Sequence, residues 1–262
     1  MDILDPRLVH NLHIEKMRRA GTLRDEHLED VIFQTSTIDA LLDGAYEGDL
    51  TFAELREHGD FGIGTLQQLD GEMIALDGEF FVARADGSVS RVPPEMKTPF
   101  AVITYWDTDA SLALENISSL AELKKHLDAR EPQPVEMIAV RVDGEFSKMR
   151  VRSVSKQTPP YPPLAEVAAK QSEFEWQNIS GTVVGFRFPD TARGYEVVGY
   201  HLHFLADDRT RGGHVLDCAL TRGTALFDDS IVLHVEIPAG LRWSVPDASE
   251  ARQAVLKRVE GT

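Results

Sequence analysis

One histidine-bearing stretch constrains this chain more than any other. In residues 199–205, His201 and His203 stand two positions apart among apolar and aromatic neighbours, and alternate residues of a β-strand point to the same face of a sheet. A polar, glycine-ended segment follows, and His214 then opens a second apolar run. If the two runs pair as a hairpin, His214 returns beside the first two histidines. The spacing therefore favours a strand-rich fold in which three imidazoles converge.

Three converging neutral imidazoles form a good site for a divalent metal, Zn²⁺ above all, and leave a coordination position open for water or substrate. Spacing alone also fits exposed strand residues, because the chain contains nine histidines. A cupin jelly roll offers another three-histidine site, but it usually carries a glutamate a few residues after its His-x-His pair. Those positions hold Leu205, Ala206 and Asp207 here, so the cupin variant fits poorly.

The overall charge narrows the classes of partner. A formal net charge of −16 argues against nucleic acid and anionic membranes, and an acidic substrate would need a local cation. The one cysteine, Cys218, excludes an intramolecular disulfide. No run approaches the ~18 apolar residues of a membrane span, and the N-terminus lacks the apolar core of a signal peptide. We therefore expect a soluble, cytoplasmic protein that binds a small molecule.

Short strands outnumber helices in the predicted order of elements. Helices are predicted after the N-cap candidates Ser36 or Thr37, Thr51 and Ser119, over residues 164–174, and from Pro246 to Glu260. Strands are predicted as a meander with Asp-Gly turns over residues 61–89, and at residues 100–106, 135–142, 146–154, 181–188, 195–205, 214–221 and 231–237. The strands at 135–142 and 146–154 are predicted to join at a turn, Asp143-Gly144.

This order indicates an α+β (mixed α/β) fold of two domains, each built on a mixed or antiparallel β-sheet with flanking helices. The proline-rich segment 159–163 reads as a rigid connector and sets the boundary. Residues 1–28 fit either a mobile arm or a short surface helix. Residues 29–163 then form an N-terminal α/β sheet domain, and residues 164–262 form a C-terminal antiparallel-sheet domain that carries the three histidines.

Several motifs, in one order along the chain, resemble a known family. They are FQTSTIDALLDG at 33–44, GDFGIGT at 59–65, LDGE at 69–72, VRSV at 151–154 and GYHLHF at 199–204. Together they resemble α-acetolactate decarboxylase over residues 30–262. The resemblance implies a two-domain α/β protein, often dimeric, with its metal site between the domains and its C-terminal tail returning to the site.

The resemblance also implies a set of site residues. Zn²⁺ would be held by His201, His203 and His214, and the catalytic residues would be Glu72, Arg152 and Glu260. Without the resemblance, each of the last three has a plainer explanation: a turn residue, a surface strand cation and a solvated helix end.

The implied reaction is zinc-dependent conversion of (S)-2-acetolactate, a 2-hydroxy-3-oxo acid, to (R)-acetoin and CO₂ in acetoin and butanediol biosynthesis. The metal would act as a Lewis acid, Arg152 would bind the substrate carboxylate or a negative oxygen, and a carboxylic acid would deliver the proton. One alternative is a three-histidine, metal-dependent oxygenase of cupin-like type that acts on a small keto or hydroxy acid. Another is a metal-stapled binding domain, whose fourth ligand would be Glu72 or Glu260.

Overall fold

The computed structural model describes the backbone of residues 12–15 and, with side chains, residues 31–130, 136–238, 247 and 249–260. Strands dominate this part of the chain, and the helices are short. The strands are Leu12–Glu15 (β1), Val31–Thr35 (β2), Leu50–Thr51 (β3), Phe61–Thr65 (β4), Glu72–Leu76 (β5), Glu79–Ala83 (β6), Val89–Arg91 (β7), Lys97–Thr98 (β8), Ala101–Thr104 (β9), Ala110–Ile117 (β10), Met137–Ser153 (β11), Ser172–Phe188 (β12), Gly199–Ala206 (β13), Gly212–Ser230 (β14) and Val232–Glu236 (β15). The helices are Ile38–Leu42 (α1), Phe52–Leu55 (α2), Leu120–Leu127 (α3), Leu164–Ala168 (α4) and Glu250–Glu260 (α5), with 3₁₀ turns at Gln67–Leu69, Asp128–Arg130 and Asp190–Ala192.

The strands form two large sheets. An eight-stranded sheet has the order β1-β15-β2-β9-β4-β5-β6-β7, in which β15 pairs in parallel with β1 and β2 and the other pairs are antiparallel. An antiparallel five-stranded sheet has the order β10-β14-β11-β12-β13, and β13 also pairs with β14. The predicted mixture of helices with mainly antiparallel sheets is confirmed, and the sheets are the larger part of it.

The predicted division at residue 163 stays a prediction. Each sheet takes strands from both sides of that residue: β10 and β11 join the five-stranded sheet, whereas β15 joins the eight-stranded one. Residues 1–28 lie outside the described residues, apart from the strand β1. No helix in the described part of the chain is long and apolar enough to cross a membrane.

A shared apolar core lies between the two sheets. Side chains of the eight-stranded sheet, such as Phe61 and Ile74, pack in one buried cluster with Phe186 of β12, and the rings of Phe61 and Phe186 lie 6.2 Å apart. Helices α1, α4 and α5 contribute to the same cluster, for example through Leu256 of α5. A cleft opens where these helices meet the two sheets.

The predicted helix caps are confirmed. The Thr37 hydroxyl accepts a hydrogen bond from the amide of Ala40 at 3.2 Å. Thr51 and Glu54 form a complete capping box, in which each side chain accepts from the other residue's backbone N–H. Ser119 likewise caps α3. Capping satisfies backbone donors that a helix start leaves free, so these short helices begin where their polar residues stand.

The predicted turn at Asp143-Gly144 is wrong, because β11 runs straight through it from Met137 to Ser153. Gly144 pairs with Gly181 on one side and Gly223 on the other. A Cβ atom at Gly144 would lie 2.7 Å from a neighbouring backbone oxygen. The glycine is therefore needed for close approach of three strands, and not for a turn.

The predicted helix at 164–174 is too long. Helix α4 ends at Ala168, and β12 begins at Ser172. Exposed Glu173 and Glu175 alternate with the half-buried ring of Phe174, which is the two-residue period of a strand. The predicted start of the last helix at Pro246 lies outside the described residues, and α5 is described from Glu250 to Glu260.

Candidate metal centre and active site

Strands β13 and β14 form the hairpin that the histidine spacing predicts. His203 lies directly opposite His214 in the strand register, and His201 lies two residues earlier on the same face of β13. The three ring centroids are 5.2–5.4 Å apart. One ligand atom from each ring lies within 4.8 Å of the others, and all three residues are buried. The structure therefore brings the three predicted histidines together.

The Nε2 atoms of all three rings face buried carboxylates. Those of His201 and His214 lie 3.6 and 3.5 Å from Oε2 of Glu260, and the Glu260 carbonyl oxygen is 3.2 Å from His214 Nε2. Nε2 of His203 lies 3.7 Å from Oε2 of Glu72. The centre thus combines three imidazoles with two carboxylates.

This donor set fits a metal ion. Nδ1 of His203 donates to the Met73 carbonyl at 2.8 Å, so the neutral ring carries its free lone pair on Nε2. Within the described residues, this buried Nε2 atom has no hydrogen-bond partner. Burial, together with the charge of Arg152 and the neighbouring rings, lowers the pKa values of His203 and His214 well below the ordinary value. Both rings are therefore neutral, the form that binds a metal.

His201 differs from its two partners in charge. Burial alone lowers its pKa, but the nearby carboxylates of Glu260, Glu196 and Glu72 raise the pKa above the ordinary value. A bound cation would replace the proton that these carboxylates favour.

A short run of backbone contacts places Glu72 at the centre. Thr65 of β4 donates its hydroxyl hydrogen to the carbonyl of Gly71 at 2.7 Å. Gly71 has a φ of +101°, and a Cβ atom there would lie 2.5 Å from the carbonyl oxygen of Ala83. Glycine is required at that position, and the chain then enters β5 with Glu72 buried.

Arg152 lies between the two carboxylates. Its Nη1 donates to Oε1 of Glu72 at 3.0 Å, and its Nη2 lies 3.8 Å from Oε1 of Glu260. It also stands opposite His214 in the pairing of β11 with β14. A buried guanidinium needs such partners, because an unpaired buried charge is destabilising by several kcal/mol. Arg152 is therefore a central residue of the cluster and not a surface cation.

Glu260 reaches the centre from the end of α5, and tertiary contacts hold that helix. Leu256 and Val259 are buried in the core between the sheets. Arg252 donates to Asp39 of α1 at 3.0 Å and forms an ion pair with Asp43 at 2.8 Å. The predicted site residues Glu72, Arg152 and Glu260 thus lie together with the three histidines.

Burial raises the pKa of the Glu72 carboxyl. The charge of Arg152 opposes this effect, the carboxylate of Glu260 adds to it, and His201 lowers the pKa again. A raised pKa extends the range in which a carboxyl group keeps its proton toward higher pH. Glu72 is therefore suited to hold a proton.

Glu196, a fully buried acid behind His201, is not among the residues predicted from the sequence. Its Oε2 lies 4.0 Å from His201 Nδ1 and accepts a hydrogen bond from the Val197 amide at 2.6 Å. One signal was available, since a single carboxylate within the apolar run Tyr195–Val198 is typical of an acid with a buried partner.

A cleft adjoins the centre, and its space amounts to about 410 Å³ when the part that opens to solvent is counted with it. Its polar wall includes Thr65, Glu72, Arg152, His201, His203 and Glu260. Its apolar wall consists of Ile38, Leu41, Leu69, Phe100, Val154 and Leu164. Val154 and Leu164 flank the proline-rich segment. A cleft with one polar and one apolar wall is typical of a small-molecule site.

The chain is similar to one family over most of its length. The family model described as alpha-acetolactate decarboxylase matches residues 32–245, which include every predicted site residue except Glu260. The alpha-acetolactate decarboxylase of Methanosarcina mazei is 42% identical over 250 residues, which cover 95% of this chain and 87% of that protein. The one from Methylococcus capsulatus is 45% identical over 212 residues, which cover 81% of this chain and 82% of that protein.

A solved structure agrees with these sequence relatives. The crystal structure of alpha-acetolactate decarboxylase from Bacillus subtilis strain 168 superposes with a TM-score of 0.83 at 34% identity. The match covers 88% of this chain and 100% of that one. Fold and sequence thus point to the same group of enzymes, and the alternative of an oxygenase is not favoured. The chain belongs to the alpha-acetolactate decarboxylase family and is a carboxy-lyase.

Proposed function

We propose that this chain is a zinc-dependent enzyme that converts (S)-2-acetolactate to (R)-acetoin and CO₂ in acetoin and butanediol biosynthesis. One observation carries the proposal beyond family membership. Three buried histidines converge beside two carboxylates that a buried arginine bridges. Imidazole and carboxylate ligands suit zinc, and the cleft beside them suits a small molecule.

His201, His203 and His214 are the proposed zinc ligands. Bound there, zinc would supply Lewis-acid stabilisation of the negative oxygen that develops as CO₂ leaves. The protein's own part is to keep the rings neutral, as the lowered pKa values of His203 and His214 indicate, and to exclude bulk water by burial.

Arg152 is the proposed anion-binding residue. Its guanidinium is buried and, within the described chain, its Nε has no hydrogen-bond partner. A planar fork of donors matches a carboxylate or a developing negative oxygen. In a chain of net charge −16, such a local cation is what an acidic substrate requires.

Glu72 and Glu260 are the proposed proton donors. A chiral product requires that the proton arrive on one face only, which a fixed carboxyl group achieves. Both carboxyl groups lie on the polar wall of the cleft, and burial raises the pKa of Glu72. The apolar wall opposite would hold the methyl groups of the substrate.

The proposed working form is a cytoplasmic homodimer, as the family resemblance implies. Light scattering coupled to gel filtration tests the dimer, which should elute at about twice the 29.2 kDa of one chain. A monomer with full activity would contradict it.

The test of the proposed reaction is turnover of racemic acetolactate by purified, metal-analysed protein. Acetoin and CO₂ should form in equal amounts, stop when a chelator removes zinc, and resume when zinc is restored. Turnover should be the same in air and under nitrogen, because no electron acceptor is needed. Firm zinc binding without acetoin, or a requirement for O₂, would contradict the proposal.

The variant His203→Ala gives the matched comparison. It should lose chelator-sensitive turnover, whereas His126→Ala should not, since His126 lies exposed on α3 and contacts the carbonyl of Glu122. Equal turnover of both variants would remove the three-histidine site from the reaction.

A further inference from the structure

Glu196 is a buried acid that the proposed reaction does not use. It lies between the 3₁₀ turn Asp190–Ala192 and the start of β13, and its side chain is 0% exposed. Burying a carboxylate is destabilising by several kcal/mol unless a partner compensates for the lost hydration. An acid in such a place therefore has a specific partner.

His201 is the titratable group that faces this acid. Nδ1 of His201 lies 4.0 Å from Oε2 of Glu196. In the described part of the chain, His201 Nδ1 and Glu196 Oε1 are both buried and both lack a hydrogen-bond partner. A buried donor or acceptor without a partner costs the free energy of its lost hydration, and a hydrogen bond between the two offsets that cost for both.

The contacts of the Nδ1 atom differ between His203 and His201. Nδ1 of His203 donates to the carbonyl of Met73 at 2.8 Å, which fixes that ring with Nε2 directed at the centre. His201 has its Nδ1 directed at Glu196 instead. A metal-binding histidine commonly donates its other ring N–H to a carbonyl or a carboxylate, which sets both its tautomer and its orientation. Glu196 stands where that acceptor is needed for His201.

Backbone contacts hold the Glu196 segment in place. The carbonyl of Tyr195 accepts hydrogen bonds from the Gln34 side chain at 2.8 Å and from the Ile38 amide at 2.9 Å. The segment is thus tied to β2 and to α1, which lines the cleft. A carboxylate on such a pinned segment can set the position of a ring better than one on a free loop.

We propose that Glu196 is a positioning residue that accepts the Nδ1–H of His201, directs His201 Nε2 at the metal and adds a negative charge behind that ligand. This inference rests on the proposed metal function. Loss of such an outer partner typically lowers metal affinity about 10- to 100-fold, through faster release of the metal.

Zinc affinity and zinc release rate, measured by competition with a chromophoric chelator, test the inference. Glu196→Ala should bind zinc about 10- to 100-fold more weakly than the wild type. Glu196→Gln keeps an acceptor oxygen and should regain part of that loss. The unfolding midpoint without zinc is measured for each variant, since a purely structural role would move that midpoint and leave zinc affinity unchanged.

The matched control is Asp228, another buried carboxylate, whose Oδ2 accepts a hydrogen bond from the backbone of Asp107 at 3.3 Å. Asp228→Asn should leave zinc affinity within about twofold of the wild type, because Asp228 lies near the end of β14 that is remote from His214, and β14 runs from Gly212 to Ser230. Wild-type affinity in both Glu196 variants would overturn the inference and leave the proposed function intact. A wild-type chain that binds no zinc would overturn the proposed function itself.

Discussion

The two parts of the centre differ in what holds them. The strand-borne part consists of His201, His203, His214, Arg152 and Glu72, which lie on β5, β11, β13 and β14. The helix-borne part is Glu260 alone, at the end of α5. Backbone pairing between strands fixes the first part, whereas side-chain contacts between helices and the core fix the second.

Strand register explains the precision of the first part. Arg152, His214 and His203 form one row across β11, β14 and β13, each directly opposite the next. Residues in such a row have fixed spacing, because a shift by one residue would turn every side chain to the other face. We therefore expect metal binding to depend on the strand-borne part and turnover to depend on both parts.

The largest effect is expected from His203→Ala, which breaks the strand-borne part. The variant should lose zinc, and kcat/KM should fall more than about 10,000-fold, because a metal Lewis acid contributes several kcal/mol to transition-state stability. Zinc content and initial rates measure both effects. Unchanged zinc content would mean that the row of histidines does not hold the metal.

Glu260→Gln breaks the helix-borne part alone. We expect kcat to fall about 100- to 10,000-fold, as is usual when a general acid is lost, with zinc still bound by the histidines. The control is Glu250→Gln on the same helix, where the side chain is 98% exposed; it should keep wild-type kcat. Full activity of the Glu260 variant would exclude that residue from the reaction.

Arg152→Lys tests the residue that joins both parts. Lysine keeps the charge but lacks the fork that faces Glu72 and Glu260, so kcat/KM should fall about 10- to 100-fold, the range for lost hydrogen bonds to charged groups. Arg150→Lys is the control on the same strand, because Arg150 is 43% exposed and pairs with Glu173. Equal kinetics of the two variants would contradict a bidentate role.

Arg252→Ala weakens the attachment of α5 without touching the cleft. The lost contacts to Asp39 and Asp43 should reduce kcat by about tenfold or less, because Leu256 still anchors the helix and Asp43 is 70% exposed, so solvent screens its ion pair with Arg252. Zinc affinity should not change. Hydrogen exchange of α5 should rise in this variant and not in Arg258→Ala, whose guanidinium contacts only its own helix in the described structure. Unchanged exchange would show that Arg252 does not hold α5.

The smallest effect is expected at Cys218 of β14. Burial raises the pKa of its thiol from 9.0 to about 12, so the native thiol should react slowly with a disulfide reagent up to about pH 10. The ordinary pKa of a thiol is 9.0, so the unfolded thiol ionises above that pH while the native thiol stays protonated. The free energy of unfolding that Cys218 contributes is therefore present below pH 9.0 and is lost as the pH rises toward about 12.

Labelling of the Cys218 thiol in Arg252→Ala should be as slow as in the wild type. Fast labelling would show that loss of the α5 contact loosens the strands as well.

The difference between strand pairing and long-range side-chain contacts also decides which features could be predicted from the sequence. The convergence of His201, His203 and His214 follows from a two-residue period and a glycine-ended turn, which are local signals. The cap residues Thr37 and Thr51 are local signals too. Both kinds of prediction are confirmed, because local patterns and strand pairing agree at these positions.

Predictions failed where pairing overrides a local signal. Asp143-Gly144 has the composition of a turn, yet Gly144 lies inside β11 between two paired glycines. The end of α4 was placed too late because its apolar spacing continues into β12. Composition cannot distinguish a glycine needed for a turn from one needed for close strand packing.

Contacts between residues far apart in the chain could not be predicted from the sequence. The attachment of α5 through Arg252 joins residues more than 200 positions apart, and neither partner carries a local signal of the other. Glu260 was placed only through the family resemblance. Glu196 is a different case, because the single carboxylate within an apolar run was a local signal that the interpretation of residues 195–205 as one strand did not use.

The most direct test of the three-histidine site is the position of zinc, located by anomalous scattering in crystals of the zinc-loaded wild type and of Glu260→Gln. We expect one peak in both crystals, about 2.0–2.1 Å from a ring nitrogen of each of His201, His203 and His214. A peak that vanishes in the variant would show that α5 is part of the metal site. A wild-type peak away from the three histidines would contradict the proposed metal site and the reaction proposed for it.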